Sequence, residues 1–293
     1  MSSVNRRSCH RFARPGALAA LAGSMALAVA GCITVKATPE IIYVTPAPAS
    51  ASAALIPTPS GLLSSSSDAP TEAASDNVPS GTPSVLSQTV ARAASDGRWT
   101  ASFRKPVVGG VSDEAVAAMN ASIGVRVDGY ISAFEGSGLP AVNPGDGPST
   151  FEGDFSVAYA SPTVLSIRFS IETYVSGAAS PNEEPGSINF NAITGASIQF
   201  VDLFTSAGDA LPVLSSQSHS LLAKSLGAEL DWPASVTMAD FQSAWALTAP
   251  GLELTWAQGE IAPRAAGAPT ITIPWSALKS VIAGSGPAAG FVS

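Results

Sequence analysis

Between Trp99 and Phe134 the hydrophobic period of the chain changes from two to about three and a half, and this limits the folds open to it. Trp99, Ala101 and Phe103 alternate with Thr100, Ser102 and Arg104, which is the period of a half-buried strand. From about Ser112 the apolar residues recur every three or four positions: Val116, Met119, Ile123, Val127, Tyr130, Ile131 and Phe134 share one face of a helix. Ser112 or Asp113 can cap that helix, and Asp113 and Glu114 suit its positive end. Gly124 and Gly129 weaken it.

Further on, hairpin signals dominate. Phe155, Val157 and Tyr159 lead through Ser161-Pro162 into Leu165, Ile167, Phe169 and Ile171, which alternate with Ser166, Arg168, Ser170 and Glu172. That pattern predicts a hairpin with one wet face. Ser180 to Gly186, with Glu183-Glu184 inside it, has the composition of an exposed turn. Ile188 and Phe190 pass through the turn Thr194-Gly195 to Ile198 and Phe200. A second amphipathic helix is predicted from Asp209, with Pro212 in its first turn and Leu211, Leu214, Leu221 and Leu222 facing inward. Trp245 and Leu247 turn at Ala249-Pro250-Gly251 into Leu252, Leu254 and Trp256. Ile271 and Ile273 form a last strand before a short helix near residues 276–282. Hairpins interrupted by two helices, without regular βαβ alternation, predict an α+β fold: an antiparallel sheet with two main amphipathic helices packed on one side.

The N-terminus reads as an export signal. Arg6, Arg7, Arg11 and Arg14 precede an apolar stretch over residues 17–30 that is too short to span a bilayer permanently. Arg6-Arg7 permits twin-arginine export beside the general secretory route. Leu27-Ala28-Val29-Ala30-Gly31-Cys32 resembles a bacterial lipoprotein lipobox, which implies that Cys32 carries acyl chains of the palmitate type and becomes the first mature residue. The other cysteine is Cys9, so no disulfide is available to brace the later chain. Residues 33–83 are rich in Ala, Ser, Pro and Thr and cannot bury enough apolar surface to offset ordering entropy, so a disordered tether is expected. The expected organisation is a signal peptide at 1–31, the lipidated cysteine and tether at 32–84, an N-terminal subdomain at 85–180 and a C-terminal subdomain at 181–293. The mature chain would sit on the outer face of the cell membrane, held through its lipid anchor.

Charge narrows the partners. Residues 1–31 carry four arginines and no acid, so the remainder has ten basic residues against 22 acidic ones, a net charge of −12. Nucleic acid and anionic lipid surfaces are disfavoured, whereas a cationic partner is permitted. Reactive groups are sparse. His219 is the one histidine after the signal and falls in the second helix, where the plain reading is a partly exposed helix residue. Too few cysteines and histidines remain for a zinc site, so neither a metal nor another cofactor is implied. Ser102 to Lys105 and Ser276 to Lys279 match Ser-x-x-Lys, but the companion motifs of penicillin-binding enzymes are missing or misplaced.

Toward the C-terminus the order of motifs becomes specific. Ala249-Pro250-Gly251-Leu252-Glu253-Leu254-Thr255-Trp256, then the stretch 259–269 with Glu260 and Arg264, then Pro274-Trp275-Ser276-Ala277-Leu278, resembles the extracytoplasmic domain of RsiV-type lysozyme-binding anti-sigma factors. The same domain accompanies the polysaccharide deacetylase PdaC and resembles a secreted bacterial immunogenic protein. Residues 174–178, starting at Tyr174, resemble the family's Tyr-Thr-Gly-Gly-Ala stretch, and Asn189-Phe190-Asn191, Thr194-Gly195 and Asp202-Leu203-Phe204 follow in the family's order. The chain departs from the family at Ala179-Ser180, where a histidine is usual, and at Arg264, where a tyrosine is usual. The resemblance implies the binding or sensing half of such proteins, without the deacetylase activity or the cytoplasmic anti-sigma segment. Tyr174, Glu260 and Arg264 are the candidate ligand contacts, and the candidate partners are a cationic protein such as lysozyme or a peptidoglycan fragment. A hydrolase acting on wall glycan or an ester, and a passive structural lipoprotein, are the alternatives. Pro263, Pro269, Gly259 and Gly267 make residues 259–269 an irregular link between two strands, with Glu260 and Arg264 as an exposed pair.

Overall fold

The computed structural model describes residues 39–40, 81–143 and 145–292. The export signal, Cys32 and most of the expected tether lie outside the described residues. Among the described residues nine strands form two sheets. The larger has the order β1 (Pro39–Glu40), β2 (Ser84–Ala93), β3 (Trp99–Gly109), β4 (Ser149–Ala160), β5 (Val164–Tyr174) and β6 (Asn182–Asn191). The smaller consists of β7 (Trp245–Leu247), β8 (Gly251–Thr255) and β9 (Thr270–Pro274).

The fold is α+β and its pairing is mostly antiparallel, with one exception. β3 and β4 run parallel, from Trp99 opposite Ser149 to Phe103 opposite Gly153. Helix α1 (Asp113–Glu135) makes the crossover that a parallel pair requires. Its cap and most of its apolar face are used: the Ser112 hydroxyl accepts from the Ala115 amide, and Ala115, Met119, Ile123, Val127, Ile131 and Phe134 are buried against the sheet, with Ala115 in the place expected for the half-buried Val116. β3 is longer than its contact with β4, and Asn120 on α1 serves the remainder that β4 leaves unpaired, accepting from the Val108 amide at 2.8 Å and donating to the Val108 carbonyl at 2.9 Å. At the start of β2 Val85 and the polar Ser87 are buried while Leu86 between them is exposed, so the strand lacks an apolar–polar alternation.

The two main helices serve different cores. α1 covers one face of the six-stranded sheet, where Phe103 lies among Tyr130, Phe151 and Phe169. α2 (Ala207–Leu226) and the short α3 (Trp275–Leu278) pack instead with Leu252, Leu254, Ile271 and Ile273 of the smaller sheet. α2 starts before Asp209, because Ser206 accepts from the Asp209 amide and is the cap. Pro212 consequently lies beyond the first turn, with Gly208 four residues before it.

Two further sequence expectations change. Asn182 to Gly186 belong to β6 and oppose Thr173 to Phe169, so Glu183 and Glu184 are exposed strand residues rather than part of a turn. Pro185 is accommodated because β6 ends the sheet and needs no amide there for a further ladder. The wet face of β5 is also only partly wet. Ser166 is buried and Arg168 half-buried, because the smaller sheet lies over them.

Candidate functional site

The two sheets meet through polar side chains standing in for strand pairing. Ser166 accepts from the Leu247 amide at 3.0 Å, and Ser187 accepts from the Trp245 amide at 3.0 Å. Asn189 donates to the Trp245 carbonyl at 3.0 Å, and its side-chain oxygen accepts from the Ser166 hydroxyl. These buried groups are satisfied only with β7 in this position, which fixes one sheet against the other. Beside them Arg168 on β5 grips Glu253 on β8 with two nitrogens, its Nη2 donating to Oε2 at 2.6 Å and its Nε to Oε1. Glu253 is the more shielded partner, so this pair is better protected from water than an ordinary surface ion pair.

Where the smaller sheet stops covering the larger, a cleft of about 590 Å³ opens. Strands β4, β5 and β6 make one wall, and Trp245, Thr255, Ala268 and Thr270 belong to the other. Thr255 and Thr270 face each other with hydroxyl oxygens 3.1 Å apart. Within the larger sheet Arg104 donates to Asp154 at 2.9 Å. The two arginines near the cleft are thus engaged by Asp154 and Glu253.

The next row outward is acidic. Register places Glu152 on β4 opposite Glu172 on β5, and Glu172 opposite Glu183 on β6. Residues directly opposed in a sheet share a face, and these three share the face of Arg168 and Asp154. All three are exposed, and among the described residues none is in an ion pair. Sequence could not bring them together, since one carboxylate comes from each of three strands and only register aligns them.

The three sequence candidates do not share one concave surface. Glu260 is exposed and its Oε2 accepts from the Ala257 amide at 2.9 Å. It borders a second hollow, of about 310 Å³, with Trp232, Phe241 and Trp256. Arg264 does not pair with Glu260. Its Nη1 donates to the Asn182 side chain at 3.0 Å, and its Nη2 to the Pro181 carbonyl at 3.4 Å. Tyr174 is half-buried at the end of β5 opposite Thr150, and lines neither hollow. His219 is exposed on α2, with its ring 5.8 Å from that of Trp232. Among the described residues no group of three or more His, Cys, Asp or Glu could hold a metal ion, and no helix is long and apolar enough to cross a membrane.

Residues 201–276 match the model of a family described as Protein of unknown function (DUF3298). The match takes in α2, the three strands of the smaller sheet and the link that carries Glu260 and Arg264. No curated protein matches the chain. Solved structures similar to it include two of this family. One is a crystal structure of a DUF3298 family member from Bacteroides fragilis, 13% identical, covering 72% of this chain and 96% of that one, with a TM-score of 0.47. The other is a DUF3298 family protein from Pseudomonas aeruginosa, 18% identical, covering 71% and 95%, also with a TM-score of 0.47.

Proposed function

We propose that this chain is a lipid-anchored envelope protein whose folded part is a non-catalytic binding or sensing domain of the RsiV type, and that its cleft receives a positively charged protein surface. The observation that carries the reading is the row Glu152, Glu172 and Glu183, which shares the sheet face of Asp154 and Arg168 and reaches the lining of the cleft at Glu183. Like charges directly opposed in a sheet work against the fold, so their placement without counter-ions is a local rule broken, and such breaks concentrate at functional sites. A basic partner would supply the missing positive charge and gain in encounter rate. The cleft itself is held open by the paired Arg168 and Glu253, so binding does not require its walls to be assembled. A wall-derived fragment fits less well, because the free carboxylates of its stem peptide would meet the same acidic row.

Calorimetry with lysozyme as the basic protein and disaccharide-peptide fragments as the wall ligand tests this choice. Lysozyme should bind, and its affinity should fall steeply between about 0.05 and 0.3 M salt as exposed charges are screened. Absence of lysozyme binding, or affinity indifferent to salt, would remove the reading; fragment binding without lysozyme binding would reassign the cleft to the wall. Anchoring is tested separately. Cys32→Ser should release the protein from membranes, because two or more acyl chains are needed for stable retention. Unchanged retention would count against the lipid anchor and leave the cleft reading untouched.

A further inference from the structure

The hollow bordered by Glu260 lies apart from the cleft and differs from it in its chemistry. Trp232, Phe241 and Trp256 stand at nearly equal spacing, with ring centroids 6.2–6.4 Å apart and planes inclined by 45° to 75°. Rings so inclined pack edge to face against one another, and together they form one wall of the hollow. Phe241 and Trp256 are buried and form the backing, while the half-buried Trp232 supplies the accessible ring. The volume of about 310 Å³ is ample for an aliphatic stem with a charged head.

Three carboxylates border this aromatic hollow: Asp231, Asp240 and Glu260. No lysine or arginine lines it, and the nearby Arg264 is turned away to Pro181 and Asn182. Each acid is held in place through its own segment. The Asp231 amide donates to the Ile261 carbonyl at 2.8 Å. One Asp240 oxygen accepts from the amide and hydroxyl of Thr237, and one Glu260 oxygen accepts from the Ala257 amide. The other oxygen of each of these two, and the whole Asp231 carboxylate, have no partner among the described residues.

We propose that this hollow binds the charged end of a lysine or arginine side chain. An aromatic face attracts cations generally. The open carboxylate oxygens add a further demand, since they are acceptors in need of N–H donors. An ammonium or guanidinium head has such donors and a trimethylammonium head has none. The aromatic wall receives the methylene stem, as apolar walls favour, and the head reaches the acidic rim. This site stands whether or not the acidic cleft binds a protein, and it can be tested without one.

The test uses blocked single amino acids, N-acetyl-lysine methylamide and N-acetyl-arginine methylamide, with tryptophan fluorescence or ring-proton NMR shifts as the readout. At least one charged probe should bind in the millimolar range. The lysine probe acetylated on its side chain, which keeps the stem and loses the charge, should bind at least tenfold more weakly, as should tetramethylammonium. Asp231→Asn, which touches no internal side-chain bond, should reduce affinity about three- to tenfold with the unfolding curve unchanged. Trp232→Leu should abolish the response. Equal binding of the acetylated probe would show an apolar hollow only and overturn the proposal. Tetramethylammonium binding as tightly as the lysine and arginine probes would overturn the donor argument, and failure of both charged probes would overturn the site.

Discussion

Replacing Glu172 with glutamine removes the central charge of the acidic row while keeping the side chain's shape. Glu172 faces Glu152 on one side and Glu183 on the other. Neighbouring strands lie about 4.8 Å apart, and directly opposed side-chain pairs interact by roughly 0.2–1 kcal/mol, unfavourably when the charges are alike. Two such contacts disappear in Glu172→Gln. All three carboxylates are exposed, so solvent screening keeps each contact at the low end of that range. The expected gain is about 0.5 kcal/mol, or about 1–2 °C in Tm for a domain of this size. Its origin has a signature. Raising the salt from about 0.1 M to about 1 M shortens the screening length from about 10 Å to about 3 Å, so the gain should vanish. Urea unfolding followed by tryptophan fluorescence at both salt concentrations reads it directly. A loss of stability at low salt, or a gain that survives high salt, would refute the electrostatic reasoning. If the cleft binds a basic protein, the same substitution should also weaken that binding, so stability and affinity would move in opposite directions.

Other predictions concern packing and pH. Gly153 lies opposite Phe103, and a Cβ there would fall 2.1 Å from the buried ring, so Gly153→Ala should cost about 1–3 kcal/mol in urea unfolding; no loss would mean that this strand contact is looser than described. Burial raises the Tyr130 phenol above its ordinary value of 10.0, an effect opposed by Arg126 and aided by Glu184. The unfolded chain therefore loses that proton first, so this contribution to stability is full below about pH 10 and is lost as pH rises through the folded value. Tyr130→Phe should flatten the alkaline decline, and an unchanged profile would exclude Tyr130 as its source.

The elements legible in sequence were those whose signals are local. α1 announces itself through its cap and a face of apolar residues, and the Trp245 to Trp256 hairpin through Pro250-Gly251. Features set by register or by a second layer were not legible. Ser166 and Arg168 look like outward residues of a half-wet strand, yet the smaller sheet covers both, and only its arrival gives Arg168 the partner Glu253. The acidic row is hidden in the same way. Glu183 reads as part of a turn until Asn182 to Asn191 are paired with β5, after which it completes a line of charges. The aromatic hollow was half visible: Glu260 stood out among few charges, but its neighbours Trp232 and Phe241 are brought there by the chain folding back from α2.

The link between β8 and β9 is best understood as a strut. Gly259 and Gly267 take φ of 84° and 72°, turns that L side chains resist, and a 3-10 turn at Arg264–Ala266 lies between them. The link and β6 are tied twice. Arg264 donates to Asn182 and Pro181, while Gln258 donates to the Arg264 carbonyl at 2.8 Å and accepts from the Glu183 amide at 3.4 Å. One end of the link lines the aromatic hollow through Glu260 and Ile261, and the other lines the cleft through Ala268. Arg264 is exposed, so Arg264→Ala should change global stability by less than about 0.5 kcal/mol. Its effect should be local: without the strut the start of β6 opens more often, and hydrogen exchange at the Glu183 amide should accelerate while exchange at Phe190, deep in the same strand, stays unchanged. Unaltered exchange at Glu183 would mean that the arginine only decorates the surface, whereas acceleration along the whole strand would mean that it supports the sheet.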